Sequence, residues 1–332
     1  MGSIKASLGR VAAFAVGLSC LAVPVSFAQE PQVAEQTIDA MHKLWGQHPG
    51  IRANHAKGVV VEGSFTPTDA GAKLSKAPLF QGKPVPVTAR FSDATGLPAI
   101  PDGSPDANPH GAAIKFRLPN GEMDLVLNSL SFFPVATGAE FRDLLQAVAA
   151  SGPGSAKPTA LERFFASHPA APRAFATAAT PVSFARETYH GLDAFIFVDA
   201  AGKRQPFRWR LVPVAGSEHL GAAEAAKQPP DLLVDELPAR LAKEQVQFRL
   251  LAQLAKPGDP TNDATRPWPE DRALVELGTI TLTKAAPDSA AAARQLLFLP
   301  NNLPDGIEVS DDPLINARVL AYAVSFSLRS QQ

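Results

Sequence analysis

The chain contains Gly111-Ala-Ala-Ile-Lys-Phe-Arg-Leu118, then Pro119-Asn120-Gly121, then Glu122-Met-Asp-Leu-Val-Leu-Asn128. The first and last of these segments have the length and apolar content of strands. The Asn-Gly step between them is a strong signal for a tight β-hairpin. This stretch therefore predicts two antiparallel neighbours, one from Gly111 to Leu118 and one from Glu122 to Asn128.

The rest of the chain adds more strands than helices. Further strands are predicted at Lys57 to Phe65, Pro86 to Ser92, Asp193 to Val198, Arg204 to Val212, Val246 to Ala252 and Val275 to Thr283. Helices are predicted at Thr37 to Gly46, in short pieces within Gly138 to Glu187, and around Leu232 to Lys243. Because helices do not alternate with the strands in βαβ fashion, the pattern favours an antiparallel sheet or a closed barrel.

Composition is that of an ordinary globular protein. The chain has 332 residues, of which 45% are apolar, and this is enough for a substantial core. The formal net charge of −1 does not point to nucleic acid or to stable association with a membrane surface. The sequence leaves the oligomeric state open.

Residues 1–28 have the pattern of a secretory signal peptide. Lys5 and Arg10 precede an apolar run from Val11 to Val25, and Ser26-Phe27-Ala28 ends in small residues suited to cleavage. A membrane anchor is disfavoured because the run is shorter than the ~20 apolar residues needed to span a bilayer. We therefore expect a single mature domain over residues 29–332 that is periplasmic or secreted.

The cysteine content limits the chemistry. The only cysteine is Cys20, within the expected signal peptide. A mature chain without it has no disulfide and no thiolate for catalysis or metal binding.

A cation and an imidazole stand just before the first predicted strand, in Arg52-Ala-Asn-His55-Ala-Lys-Gly58. A histidine at this position can take a proton from a bound ligand and return it, which is general acid–base catalysis. The alternative is a hydrogen-bonded histidine that caps a strand end. The heptapeptide alone leaves both interpretations open.

The last predicted helix begins at Asp312-Pro313, an N-cap residue followed by proline at the first helical position. Arg318 and Tyr322 are one turn apart on it and share a face. A phenol has a pKa of about 10 and ionises at neutral pH only beside strong positive charge, which Arg318 would partly supply. The alternative is an ordinary tyrosine with a solvated arginine one turn away.

Four stretches, in this order, resemble the haem catalase family. They are Arg52 to Gly58, Val87-Thr-Ala-Arg90-Phe-Ser92, Met123-Asp-Leu-Val-Leu-Asn128 and Arg318-Val-Leu-Ala-Tyr322. The likeness includes His190 to Lys203 and Phe298 to Pro313 and runs through nearly the whole mature chain. The resemblance implies an α+β fold, in which helices flank an eight-stranded antiparallel β-barrel and a C-terminal helix carries the haem ligand.

On one side of the haem, the resemblance assigns three catalytic roles. His55 matches the distal histidine, Ser92 the serine that holds its imidazole in the working tautomer, and Asn128 the asparagine that orients peroxide. Considered without the resemblance, Ser92 is a strand hydroxyl and Asn128 a turn residue.

On the other side, Tyr322 matches the iron ligand of the family's Arg-x-x-x-Tyr pattern, in which Arg318 is the arginine. Tyrosine ligation of haem is known from catalase itself, so this role comes from the resemblance. The arginines that match those binding the haem propionates are Arg52, Arg90 and Arg329. Without the resemblance, each arginine would be a surface charge.

The resemblance implies a peroxidase that uses non-covalent haem b (heme b) with ferric iron, since no Cys-x-x-Cys-His motif is present. Organic hydroperoxides and hydrogen peroxide would be reduced by a small organic reductant through a ferryl intermediate. Two alternatives stay open, a small true catalase and a non-catalytic haem-binding protein that keeps the barrel. A metal-dependent hydrolase is disfavoured, because the sequence lacks a His-x-x-x-His pair, a carboxylate cluster and a Gly-x-Ser-x-Gly motif.

The chain departs from the family pattern in several places. Val324 and Phe326 stand where an aspartate and a histidine are usual, and His110 stands where an arginine is usual. The chain ends at Gln332, before the helical region and extra domain of larger catalases. We therefore expect peroxidase turnover to exceed oxygen evolution, because a shorter approach to the haem captures a second hydrogen peroxide less readily.

Overall fold

The computed structural model describes residues 30–331. The signal peptide predicted at residues 1–28 lies outside this range. Within residues 30–331, no helix combines the length and the apolar character that crossing a bilayer requires.

A closed antiparallel β-barrel is the centre of the fold. The strands are β1 (Gly58–Pro67), β2 (Val85–Asp93), β3 (His110–Leu118), β4 (Gly121–Asn128), β5 (Tyr189–His190), β6 (Phe195–Val198), β7 (Arg204–Pro213), β8 (Val246–Leu254), β9 (Leu274–Ala285) and β10 (Ile307–Val309). Strands β1 to β4 pair in sequence, β5 joins β4 to β7, and β8 and β9 return the sheet to β1. Within the described residues this ring has eight strands, as predicted, while β6 and β10 extend the sheet beside β7.

The predicted hairpin is confirmed, and its register separates two faces. Leu118 pairs with Gly121 and Gly111 pairs with Asn128. Ala112, Ile114 and Phe116 of β3 point into the barrel, where they join the main apolar core. Full burial of a phenylalanine such as Phe116 contributes ~1.5–3 kcal/mol relative to exposure. The alternate residues of β3 and β4 face outward.

The structure differs most from the prediction at the strand expected from Asp193 to Val198. In the structure β6 begins at Phe195, and the two-residue β5, which was not predicted, makes the barrel contact to β4. Gly191 lies in the break between them, where a Cβ atom would come within 2.9 Å of the Trp209 Cβ atom. Its N–H group donates to the Trp209 carbonyl oxygen at 2.8 Å, so both halves stay aligned with β7.

The helices lie around the barrel. They are α1 (Glu30–Trp45), α2 (Asp69–Leu74), α3 (Gly138–Ala149), α4 (Ala160–Ser167), α5 (Ala170–Phe175), α6 (Ala222–Ala225), α7 (Leu232–Leu241), α8 (Ser289–Gln295) and α9 (Pro313–Ser330), with 3₁₀ turns at Pro78–Phe80, Pro105–Ala107 and Phe184–Arg186. The first helix starts seven residues earlier than the Thr37 predicted from its apolar spacing, since Ala34 is buried on the same face. Other predicted strand and helix bounds agree within two residues.

Three helices, α1, α3 and α9, pack on one another. The start of α9 is as predicted: the Asp312 side chain accepts the Leu314 N–H group at 3.0 Å, and Pro313 is the first helical residue. Thr137 and Glu140 form a capping box at the start of α3, which satisfies its free N–H groups. The helix group lies over the outward-facing residues of β2, β3 and β4.

Candidate active site

A cavity of about 1040 Å³ lies between these helices and the outer face of the barrel. Its walls carry all eight side chains that the sequence singled out, namely Arg52, His55, Arg90, Ser92, Asn128, Arg318, Tyr322 and Arg329. Apolar side chains from α1 and α3 form much of the remaining surface. The fold therefore gathers residues from opposite ends of the sequence into one chamber.

The strand register places three of these positions in a row. Ser92 of β2 pairs with Gly111 of β3, and Gly111 pairs with Asn128 of β4. Because side chains alternate between the two faces of a sheet, Ser92 and Asn128 both point outward, toward the cavity. Arg90, two residues before Ser92, points the same way.

His55 lies in the loop before β1 and reaches this row. Its backbone φ is 57°, a left-handed conformation that costs a non-glycine residue roughly 1–2 kcal/mol. The Asn54 side-chain oxygen accepts the His55 N–H group at 2.9 Å and holds this conformation. Strain of this kind is commonly retained where a side chain has a task to perform.

The His55 imidazole is fixed by Ser92 and by a glycine. The distance from His55 Nδ1 to Ser92 Oγ is 3.0 Å. A Cβ atom on Gly111 would lie 2.7 Å from His55 Cε1 and 2.9 Å from Nδ1, so the ring packs directly against the β3 backbone. These contacts occupy the Nδ1 edge and leave Nε2 to exchange protons. The role of Gly111 was not predicted, because its only signal in the sequence was a glycine beginning an apolar strand.

His55 is neutral at physiological pH. Burial and the nearby positive charges of Arg90 and Arg52 lower the pKa of His55 to about 3. A neutral imidazole can accept a proton, as a general base must.

Asn128 is oriented by its own chain. Its side-chain oxygen accepts the Leu130 N–H group at 2.8 Å. The amide NH₂ group is then the part of the side chain that remains to donate to a ligand in the cavity.

Three arginines form a second region of the wall. Arg52 and Arg329 both donate to the Leu296 carbonyl oxygen at 2.6 Å, and Arg90 donates to the Ala56 carbonyl oxygen at 3.1 Å. Within residues 30–331, no carboxylate is within ion-pair distance of any of the three. The Nε atoms of Arg90 and Arg329 are buried without a hydrogen-bond partner in the described part of the chain.

Mutual repulsion and burial act on this arginine cluster. Burial and then Arg329 lower the pKa of Arg90 to about 10, and burial lowers the pKa of Arg329 to about 10. Burial, Arg90 and Arg329 lower the pKa of Arg52. Such a cluster is suited to a ligand with carboxylate groups, since buried charges are normally paired.

Tyr322 and Arg318 share one face of α9, as their spacing predicted. Arg318 Nε donates to the Tyr322 hydroxyl oxygen at 3.1 Å. The guanidinium also contacts the carboxylate of Asp193, which the sequence-based reasoning did not identify. The other tyrosine of the chain, Tyr189, is in the barrel core, where it donates to the Phe184 carbonyl oxygen.

His110, the position where the family usually has an arginine, lies on the opposite face of the sheet from His55. It pairs in register with Asp93, and its Nε2 atom is 3.4 Å from Asp93 Oδ1. Burial lowers the pKa of His110 to about 3, so it is neutral. Nearby, Lys57 binds Asp102 at 2.5 Å. His110 therefore belongs to the polar end of the barrel interior and is not one of the residues that line the cavity.

Comparison with known proteins identifies the family. A family model described as Catalase matches residues 35–330. A protein of Mycolicibacterium paratuberculosis named catalase-related peroxidase is 38% identical over 301 residues, 89% of this chain and 94% of that protein. A catalase-related peroxidase of Synechococcus elongatus is 33% identical over 92% of this chain and 91% of its own length.

Solved structures show the same fold. A bacterial catalase superposes with a TM-score of 0.76 at 24% identity, covering 85% of this chain and 58% of that one. A fungal catalase gives a TM-score of 0.77 at 22% identity, covering 85% and 60%. The chain thus spans about three fifths of these larger proteins.

The family model and these relatives show the enzyme class of the chain, the oxidoreductases that act on peroxide. The chain belongs to the catalase family. Membership implies haem, and the cavity fits it. The chamber is large and mostly apolar, Tyr322 and Arg318 lie in its wall, and Arg52, Arg90 and Arg329 have no carboxylate partner among residues 30–331, which suits a ligand with carboxylate groups.

We expect Gly111→Ala to impair the site without preventing folding. The new methyl group would displace the His55 ring, and a misplacement of about 1 Å costs on the order of 100-fold in rate. The measurement is the rate of reaction with peroxide, together with thermal unfolding. Gly152→Ala is the matched control, because no atom lies within 4 Å of its Cβ position. Equal rates for the two variants would show that contact with Gly111 does not position His55.

Proposed function

We propose that this chain is a haem peroxidase that reduces organic hydroperoxides and hydrogen peroxide with a small organic reductant. One observation carries the proposal: the His55–Ser92 pair and the Arg318–Tyr322 pair line the same cavity. Both of the relatives described above are named catalase-related peroxidases, which supports peroxidase activity.

Non-covalent haem b is the cofactor we propose. Tyr322 would provide the iron ligand, and Arg52, Arg90 and Arg329 would hold the propionates. Attachment through thioethers is disfavoured because the only cysteine is Cys20. The bound haem supplies the oxidising chemistry, and the protein supplies binding, orientation and electrostatics.

The chain's own residues then act on the peroxide. Neutral His55 takes the proton of the inner peroxide oxygen at Nε2 and returns it to the outer oxygen, while Ser92 keeps Nδ1 engaged. Asn128 donates from its NH₂ group and holds the peroxide in line. Positioned proton transfer of this kind contributes ~10²–10⁴ in rate.

The surroundings of the cavity favour organic hydroperoxides over hydrogen peroxide alone. Leu97, Val148 and Phe175 line the cavity and are nevertheless 37%, 40% and 39% exposed. We call these three side chains the apolar rim, since each offers accessible apolar surface to a ligand in the cavity. An alkyl or aryl group would gain ~25 cal/mol for each Å² of apolar surface that it buries there.

Replacing Tyr322 with Phe should abolish haem retention or change the ferric absorption spectrum grossly, because the phenol oxygen is the proposed ligand. Absorption spectra of the haem-loaded protein measure this. Tyr189→Phe is the matched control: it loses one buried hydrogen bond, a stability loss of ~1 kcal/mol, and should keep the normal spectrum. A wild type that stays colourless after haem supplementation would contradict the proposed function, and a normal spectrum in Tyr322→Phe would contradict the ligand.

Dye oxidation driven by organic hydroperoxides should exceed oxygen release from hydrogen peroxide in one haem-loaded preparation. The apolar rim can bind the organic group of an organic hydroperoxide, whereas hydrogen peroxide has no apolar group to bury there. His55→Ala should lower both rates by ~10²-fold or more, since it removes the proton carrier. His168→Ala, outside the cavity lining, serves as the control. Vigorous oxygen release with negligible dye oxidation would instead indicate a small true catalase.

We also propose export of the chain, with cleavage after Ala28. The support is the sequence pattern of Lys5, Arg10 and the apolar run that follows. Mass spectrometry of protein from a periplasmic or secreted fraction should find an N-terminus at Gln29. Recovery of an intact chain starting at Met1 in the cytoplasm would overturn this proposal.

A further inference from the structure

Asp193 occupies an unusual place in the barrel wall. It lies in the break between β5 and β6, and its side chain is 2% exposed. In an unbroken strand, the period of two would direct Asp193 to the same face as Tyr189 and Phe195, which point into the apolar core. The break allows its carboxylate to reach α9 and the cavity instead.

The contact that results is a three-membered chain of polar groups. Arg318 Nη1 donates to Asp193 Oδ2, and Arg318 Nε donates to the Tyr322 hydroxyl oxygen at 3.1 Å. The guanidinium is planar, so its two contacts fix its orientation. Asp193 Oδ1 is buried without a hydrogen-bond partner among residues 30–331, so within that range Arg318 is the side chain that bonds this carboxylate directly.

Because the pair is buried, each of its two groups depends on the other. Taking a lone carboxylate or guanidinium out of water is costly. An arginine side chain keeps its proton in proteins, and the Asp193 carboxylate compensates its charge at this buried position. The arginine is therefore held charged, beside the phenol oxygen.

Two further charged side chains lie nearby, Arg208 and Asp312, and both have other partners. Arg208 stacks on the Trp268 ring at 4.6 Å and donates to the backbone oxygens of residues 263 and 266. The Asp312 carboxylate caps α9 at the Leu314 N–H group. In the described part of the chain, neither forms a hydrogen bond or ion pair with Arg318.

We propose that Asp193 is a positioning residue for the tyrosine ligand: it fixes Arg318 against Tyr322 and offsets part of the positive charge that acts on the phenol oxygen. The proposal rests on the assignment of Tyr322 as the iron ligand under the proposed function. An oxygen with less positive charge beside it donates electron density more strongly. Asp193 would thereby stabilise the ferric state and keep the midpoint potential low.

The main test is the direction in which the midpoint potential changes when Asp193 is replaced. Asp193→Asn keeps the size and one acceptor oxygen but removes the negative charge. The unopposed charge of Arg318 should then weaken the phenol oxygen as a donor, so the ferric/ferrous midpoint potential of the haem-loaded protein should rise. The ferric absorption bands should shift at the same time. Spectroelectrochemical titration measures both quantities independently of turnover.

Asp312→Asn is the matched control. It makes the same chemical change at the buried aspartate that caps α9, but this carboxylate accepts the Leu314 N–H group and, among residues 30–331, has no hydrogen bond or ion pair with Arg318. It should lower the melting temperature without a comparable shift in potential. An unchanged potential in Asp193→Asn, or an equal shift in both variants, would overturn the proposal.

A double-mutant cycle covers the case in which Asp193→Asn does not fold. Arg318→Gln combined with Asp193→Asn removes both buried charges and leaves neither unpaired. If Asp193 acts through Arg318, Asp193→Asn should change the midpoint potential much less in the Arg318→Gln background than in the wild-type background. Where the single variant Asp193→Asn does not fold, the double variant should regain folding. A further rise in potential in the double variant, with no gain in folding, would overturn the proposed route through Arg318.

Haem binding by the wild type separates this inference from the proposed function. A wild type that binds no haem refutes both proposals. A wild type with a normal spectrum that is lost in Tyr322→Phe, together with an unaffected Asp193→Asn, refutes only the role of Asp193.

Discussion

The hydrogen-bond register of β2, β3 and β4 is the constraint on which the candidate site depends. It places Ser92, Gly111 and Asn128 side by side on the outer face of the barrel. A slip of one residue would turn every side chain of a strand to the other face. His110 and Asp93 would then face the cavity, and Ser92 would enter the core. The two-residue Pro119-Asn120 turn and the apolar inner face of the hairpin prevent that slip, so the same residues that fold the barrel also align Ser92, Gly111 and Asn128.

The buried arginines of the cavity have two different kinds of partner. Arg52, Arg90 and Arg329 have backbone carbonyl partners and no carboxylate partner in the described chain, so their charge is available to an anionic ligand. Arg318 is paired with Asp193 and directed at the Tyr322 oxygen. The first arrangement attracts carboxylates, and its Arg90 and Arg52 add to the effect of burial, which lowers the pKa of His55. The second keeps one guanidinium fixed beside the position proposed for the iron ligand.

Several features of the fold were predictable because they are local. The hairpin, the N-cap at Asp312 and most strand limits follow from turn chemistry, capping and apolar spacing within a few residues. β5 was missed because a two-residue strand has no periodicity of its own, and its pairing with β4 and β7 depends on barrel closure. The early start of α1 was missed because the burial of Ala34 depends on packing against neighbouring elements.

The sequence by itself determined which side chains are the candidates for the chemistry: the histidine, the serine, the asparagine, and the tyrosine with its arginine. Their types and order suffice for this because a family resemblance is a property of the chain. Only the tertiary structure decided what surrounds them. The close packing of His55 on Gly111, the shared Leu296 carbonyl oxygen and the contact between Asp193 and Arg318 join residues far apart in the sequence. Such contacts depend on barrel closure and helix packing, which bring distant segments within a few ångströms, and no local pattern of residues encodes those distances.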